Sequence, residues 1–103
     1  MPLSAPDART RINERVTMEM PVKAAKDCQR CSLMFLDSEE DHHDLKNFAV
    51  AVTEIGKANF REARIADPAG HFKGKTIRVT GLVTVKDNQP QIEVDEPRQI
   101  QAV

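Results

Sequence analysis

The chain has no tryptophan, no tyrosine and only four phenylalanines in 103 residues. Surfaces on which planar ligands could stack are therefore scarce. It has two cysteines, too few to supply the four ligands of a structural zinc without other residues. It lacks an apolar run of membrane-spanning length, so a soluble protein without membrane insertion is expected. The start, "MPLSAPDARTRINER", has no apolar h-region and is not a signal peptide as it stands. No feature assigns a compartment. An excess of charge is missing too. Fifteen basic and sixteen acidic side chains leave a formal charge of -1. That balance excludes a surface built wholly for nucleic acid but leaves room for a local basic patch. A chain this short forms one small domain with a single modest core.

Catalytic patterns are also missing. "GHFKGKT" imitates the end of a phosphate loop, but only three residues separate Gly70 from Gly74, one fewer than that loop requires. The next residues, Thr76-Ile77-Arg78-Val79-Thr80, alternate like a strand and offer no helix N-terminus to a phosphate. No serine sits in a nucleophile elbow and no histidine lies beside an evident nucleophile. The expectation is a protein that is not an enzyme and carries no cofactor.

Residues 1–14 are polar, aperiodic and contain two prolines, which reads as a flexible N-terminal arm. Residues 15–103 form the domain. Val16, Met18, Met20 and Val22 alternate with polar residues, as in a strand with one buried face, bent or at an edge where Pro21 lacks a donor. "AAKDCQR" reads as a polar connector and Ser32–Leu36 as a second strand, in which either Leu33 and Phe35 or Met34 and Leu36 face inward. "FAVAV" is a third strand, with Phe48, Val50 and Val52 inward and the small Ala49 and Ala51 outward. Lys57–Arg64 reads as a short helix, and "ADPAGHFKG" as a loop. A long fourth strand spans 75–86, with Ile77, Val79, Gly81, Val83 and Val85 on one parity. Gly81 then lets the strand coil sharply. "DNQP" closes a hairpin into a fifth strand with Ile92 and Val94 inward, and the tail runs on along the wall. Strand, strand, strand, helix, strand, strand is the layout of an all-β, five-stranded OB-type barrel with one short helix between strands three and four.

"FKGKTIRVTGLVTVKDNQPQIEVDEPRQI" resembles the C-terminal half of bacterial OB-fold nucleic-acid-binding domains, both stand-alone and nuclease-associated. In these, "GK-x-[IV]-x-V-x-G-x-[IV]" leads through a polar turn to "P-x-I-x-[IV]" and a closing "P-x-x-I". "FLDSEEDHHDLKNFAVAV" resembles a further segment of the group, and the likeness covers about 16–103. It implies a non-catalytic module that binds single-stranded nucleic acid or another polyanion weakly and without sequence preference. OB-folds use the face of strands two and three with the loops joining strands one to two and four to five. Lys23, Lys26 and Arg30 fall in the first of these loops, Lys86 borders the second, and Arg78 lies on the outward parity of strand four. Phe35 is the one strand aromatic that could stack on a base. The alternative is a protein-interaction or assembly module without nucleic-acid binding. It would form a homo-oligomer or meet another protein through edge strands or the Met-bearing first strand.

Two further patterns have plain readings. Cys28 and Cys31 form C-x-x-C, read as free thiols or an incidental disulfide. A metal site completed by His42 and His43 is the weaker reading, because adjacent histidines point apart in extended chain and no third cysteine exists. "DSEEDHHD" gathers five carboxylates but lacks the glycine and ligand spacing of a calcium loop. It reads as a solvated acidic loop whose field repels phosphate.

Overall fold

The computed structural model describes every residue except Met1, Gln29, Cys31 and His42. Eight strands among them make one mixed sheet. They are β1 (Leu3–Ser4), β2 (Arg15–Pro21), β3 (Ala24–Cys28), β4 (Leu33–Asp37), β5 (Ala49–Val52), β6 (Thr76–Lys86), β7 (Gln89–Val94) and β8 (Ile100–Ala102). The order is β1-β2-β6-β7-β5-β4-β3, with β8 also on β6. The β5–β7 pair is parallel, as is the short β1–β2 pair. The five expected strands are all present, as β2, β4, β5, β6 and β7. The expected closed, five-stranded barrel is corrected to eight strands whose hydrogen-bonded order is open.

The open ends of that order, β2 and β3, are nevertheless consecutive in the chain, separated only by Val22 and Lys23. The amide of Val22 donates to the Lys75 carbonyl beside β6, and that of Lys23 donates to the Asp37 carbonyl at the end of β4. Two successive residues therefore bond to opposite walls. The chain steps from one wall to the other directly after Pro21, where a missing donor had pointed to a bend.

β6 makes the second corner. Its first part, through Leu82, pairs with β2, and Val83–Lys86 pairs with β7. The switch falls between Leu82 and Val83, just beyond Gly81, which faces the core as its parity required. A Cβ there would lie 2.5 Å from Cγ2 of Ile92. Val85, expected inward, is half exposed, because the strand has run past the core by then. Asp87 and Asn88 both take positive φ between paired Lys86 and Gln89, making the two-residue turn that suits a twisted hairpin.

Val16, Met18, Met20, Val22, Met34, Leu36, Phe48, Val50, Val52, Ile77, Val79, Val83, Ile92 and Val94 fill the core. The first strand's methionines thus point inward, which removes them as a contact surface for another chain. Two helices, not one, separate β5 from β6. α2 (Glu54–Glu62) begins earlier than expected because the Thr53 hydroxyl caps the Gly56 amide at 3.0 Å. α3 (Pro68–Phe72) uses Asp67 and Pro68, read as turn residues, as its cap and first position. Phe60 of α2 and Phe72 of α3 meet edge to face, 5.9 Å between ring centres. The first residues, read as a loose arm, carry structure of their own. β1 pairs with β2, and the four-residue helix α1 (Ala5–Ala8) buries Ala5 and Ala8.

Gly56 packs α2 against the end of β7, where an added Cβ would overlap the Val94 carbonyl. An alanine normally gains about 1 kcal/mol over glycine inside a helix. Here the obstacle is backbone, which cannot yield as a side-chain methyl can. Gly56→Ala and Gly81→Ala are each expected to destabilise by about 1–3 kcal/mol, Gly56→Ala by more. Urea melts with lowered midpoints at unchanged slope would show it.

Candidate nucleic-acid interface

The outer face of β3, β4, β5 and β7 carries two transverse rows of side chains. In one row Gln91 of β7, Ala49 of β5, Asp37 of β4 and Ala24 of β3 stand side by side. In the next, the corresponding residues are Glu93, Ala51, Phe35 and Lys26. The core face of β4 is Met34 and Leu36, both buried. That settles the open parity of "SLMFL" and places Phe35 outward, half-buried.

Ala49 and Ala51 do face outward, but they are 6% and 0% exposed. Larger neighbours cover Ala51 completely, whereas beside Ala49 they leave a trough. The resulting groove encloses about 500 Å³. Phe35, Leu33 and Cys28 line one part of it, and Ala49 and Gln91 another. Lys86, Asp87 and Gln89 bring the β6–β7 hairpin to its edge, and Lys26, Asp37 and His43 complete the wall.

Of the six residues read as nucleic-acid contacts, Lys26, Phe35 and Lys86 meet at this groove. The other three stand apart. Arg78 lies across from Glu19 on the β2–β6 wall and grips its carboxylate through Nε (3.0 Å) and Nη2 (2.7 Å). Lys23 reaches Glu39 at 3.4 Å. Arg30 is exposed in the β3–β4 turn and does not line the groove.

No family model matches the chain, and no curated protein matches it in sequence. Solved structures do match in shape. An aspartyl-tRNA synthetase from Leishmania major superposes over 100% of this chain with a TM-score of 0.63 at 8% identity. Asparaginyl-tRNA synthetase from Pyrococcus horikoshii covers 92% of it (TM-score 0.57, 13% identity). Aspartyl-tRNA synthetase from Entamoeba histolytica covers 91% (TM-score 0.57, 18% identity). The fold is OB-like. The chain spans about a fifth of the length of these synthetases.

The acidic loop is a loop, as expected, but a buried polar knot ties its base. Asn47 Nδ2 donates to Asp37 Oδ1 at 3.1 Å, and the Glu39 amide donates to Asn47 Oδ1 at 3.1 Å. The Phe48 amide donates to the Ser38 hydroxyl at 2.9 Å. Ser38 and Asn47 are each 1% exposed, so this end of the loop is rigidly joined to the groove. Among the described residues no group of three or more His, Cys, Asp or Glu side chains could hold a metal. Cys28 is disulfide-bonded, whereas Cys31 and His42 lie outside the described residues. No described helix is long and apolar enough to cross a membrane.

The groove residues that sequence reasoning missed include Gln91 and Ala49. Their register across β7 and β5 depends on a parallel pairing that no local pattern announces. Removing the Asn47 amide leaves the Glu39 amide and the Asp37 carboxylate short of a partner. Asn47→Ala is therefore expected to cost about 1–3 kcal/mol, read as a lower melting midpoint.

Proposed function

We propose that the chain is a non-catalytic OB module that binds single-stranded nucleic acid through the groove over β3, β4, β5 and β7. The observation that carries this reading is the convergence of Lys26, Phe35 and Lys86 on one groove, on the face that OB-folds use. The structural neighbours, synthetases that act on tRNA, lend support because their likeness spans nearly the whole chain.

Each group has a task in this reading. Phe35 offers one ring face to one base. Lys26 and Lys86 sit towards opposite sides of the trough, four strand positions apart, and receive phosphates along a path that crosses the sheet. Strands lie about 4.8 Å apart, so that path is roughly 19 Å if unrolled. It suits a footprint at the short end of the roughly 4–16 nucleotides an OB-fold covers. Asp37, Asp87 and the acidic loop repel phosphate, which confines the backbone to the lysines. One stacking platform and two cations make a weak binder. The resemblance to the bacterial stand-alone and nuclease-associated group belongs to the same reading.

A labelled oligonucleotide titrated at two salt concentrations tests it. Two neutralised phosphates give a salt slope of about -1.4, so affinity should fall about sevenfold between roughly 50 and 200 mM salt. Phe35→Ala should cost about 1–3 kcal/mol of binding. Lys26→Ala with Lys86→Ala should remove most of the salt dependence, while Arg78→Ala should leave binding unchanged. Absence of binding at the lower salt, or equal sensitivity to Arg78→Ala, would contradict the proposal.

A further inference from the structure

Gln91 is unusual among the groove residues. It is only 5% exposed, yet its side chain is on the outward parity of β7 and lines the groove. β7 is an inner strand with β6 on one side and β5 on the other, so Thr84 and Ala49 flank Gln91 in register. Among the described residues its amide makes no hydrogen bond to protein, and neither of its polar atoms is sealed from the groove. A primary amide offers two donors and an acceptor. Holding one this deep without a protein partner is costly unless a ligand or water engages it.

The surroundings define what could engage it. Next to Gln91 in its row is Ala49, and beyond Ala49 stands Asp37. Phe35 and Ala51 occupy the adjoining row. The small side chain of Ala49 leaves room in the groove between the Phe35 ring and the Gln91 amide, a space suited to a flat heterocycle. Resting on the function proposed above, we propose that Gln91 reads the edge of a single nucleobase seated in this trough. It would select a base with an exocyclic amino group beside a ring acceptor, as in cytosine or adenine, over thymine or uracil.

The selection follows from charge and hydrogen-bond direction. The amide oxygen of Gln91 accepts from the exocyclic amino group, and its NH₂ donates to the neighbouring ring nitrogen. This is the paired donor–acceptor match by which glutamine reads adenine. Asp37 on the far side of Ala49 adds a negative field that favours an amino edge. Thymine and uracil carry an N3–H donor between two carbonyl oxygens, and a turned amide can pair with that edge as well. The preference therefore comes from Asp37, whose negative field opposes the carbonyl oxygen that stands where cytosine and adenine have their amino group. Position 91 holds the base edge to that field and is thus a specificity determinant, separate from the phosphate contacts at Lys26 and Lys86.

Oligo(dC) and oligo(dT) of equal length, compared at neutral pH and low salt, form the test, since both bases are single pyrimidine rings. Wild-type protein should bind oligo(dC) more tightly by about fivefold or more. In Gln91→Ala and in Gln91→Met, which keeps the side-chain length, the ratio should fall towards one while salt-dependent binding persists. A merely structural role for Gln91 would weaken both ligands together and leave their ratio unchanged. Equal affinities in the wild type, or a preference retained in both variants, would overturn the inference and leave the binding function standing. Failure of both oligonucleotides to bind would overturn the function and this inference together.

Discussion

The outer groove exists because β6 changes partners half-way along its length, and that change depends on the contact between Gly81 and Ile92. Ile92 takes the space that any side chain at position 81 would need. With the space left open, β6 pairs with β2 before the corner and with β7 after it. The corner at Val22 complements it, passing the chain from the β6 side to the β4 side within two residues. Between these corners β7, β5, β4 and β3 form one wall, and its outer face carries the trough. Gly81 near the second corner and Ala49 in the trough therefore do related work. Each lets backbone or ligand approach where a larger side chain would stand.

Charge then divides the surface. The two walls have separate characters, because Arg78 on the β2–β6 wall is already engaged by Glu19, whereas Lys26 and Lys86 border the groove. An exposed ion pair of this kind contributes little to stability. It does hold the guanidinium against a carboxylate and reduces its attraction for phosphate. Acidic residues close to the groove act in the same sense. A chain with almost no net charge thus places two lysines, Lys26 and Lys86, at the groove, together with Asp37 and Asp87 in the same lining.

Much of the fold was legible in local patterns. The alternation of Val16, Met18, Met20 and Val22, the parity of Ile77, Val79 and Val83, and the Asp87-Asn88 turn each have one physical solution, and the structure adopts it. The elements that escaped notice lacked such a signal. β3 reads as a connector because an edge strand whose inner contribution is Ala25 needs no apolar alternation. α3 was hidden because Asp67 and Pro68 start helices as readily as they make turns. At the site, Lys26, Phe35 and Lys86 were identifiable by residue type. Their separation from Lys23, Arg30 and Arg78 depends on which wall each strand joins. Gln91 could not be found from "QPQIEV" alone, since its burial comes from neighbours 42 positions away at Ala49 and seven away at Thr84.

The most direct test of the central claim, that the trough over β4, β5 and β7 is where a nucleic-acid strand lies, is to follow backbone amide resonances. A single strand of about six nucleotides, near the small end of OB-fold footprints, would be titrated into isotope-labelled protein. The account predicts saturable shifts concentrated at Phe35, Ala49, Ala51, Gln91 and the hairpin from Lys86 to Gln89, with the β2–β6 wall around Arg78 unmoved. Shifts centred on Arg78 and Glu19, or none at high oligonucleotide concentration and low salt, would contradict it.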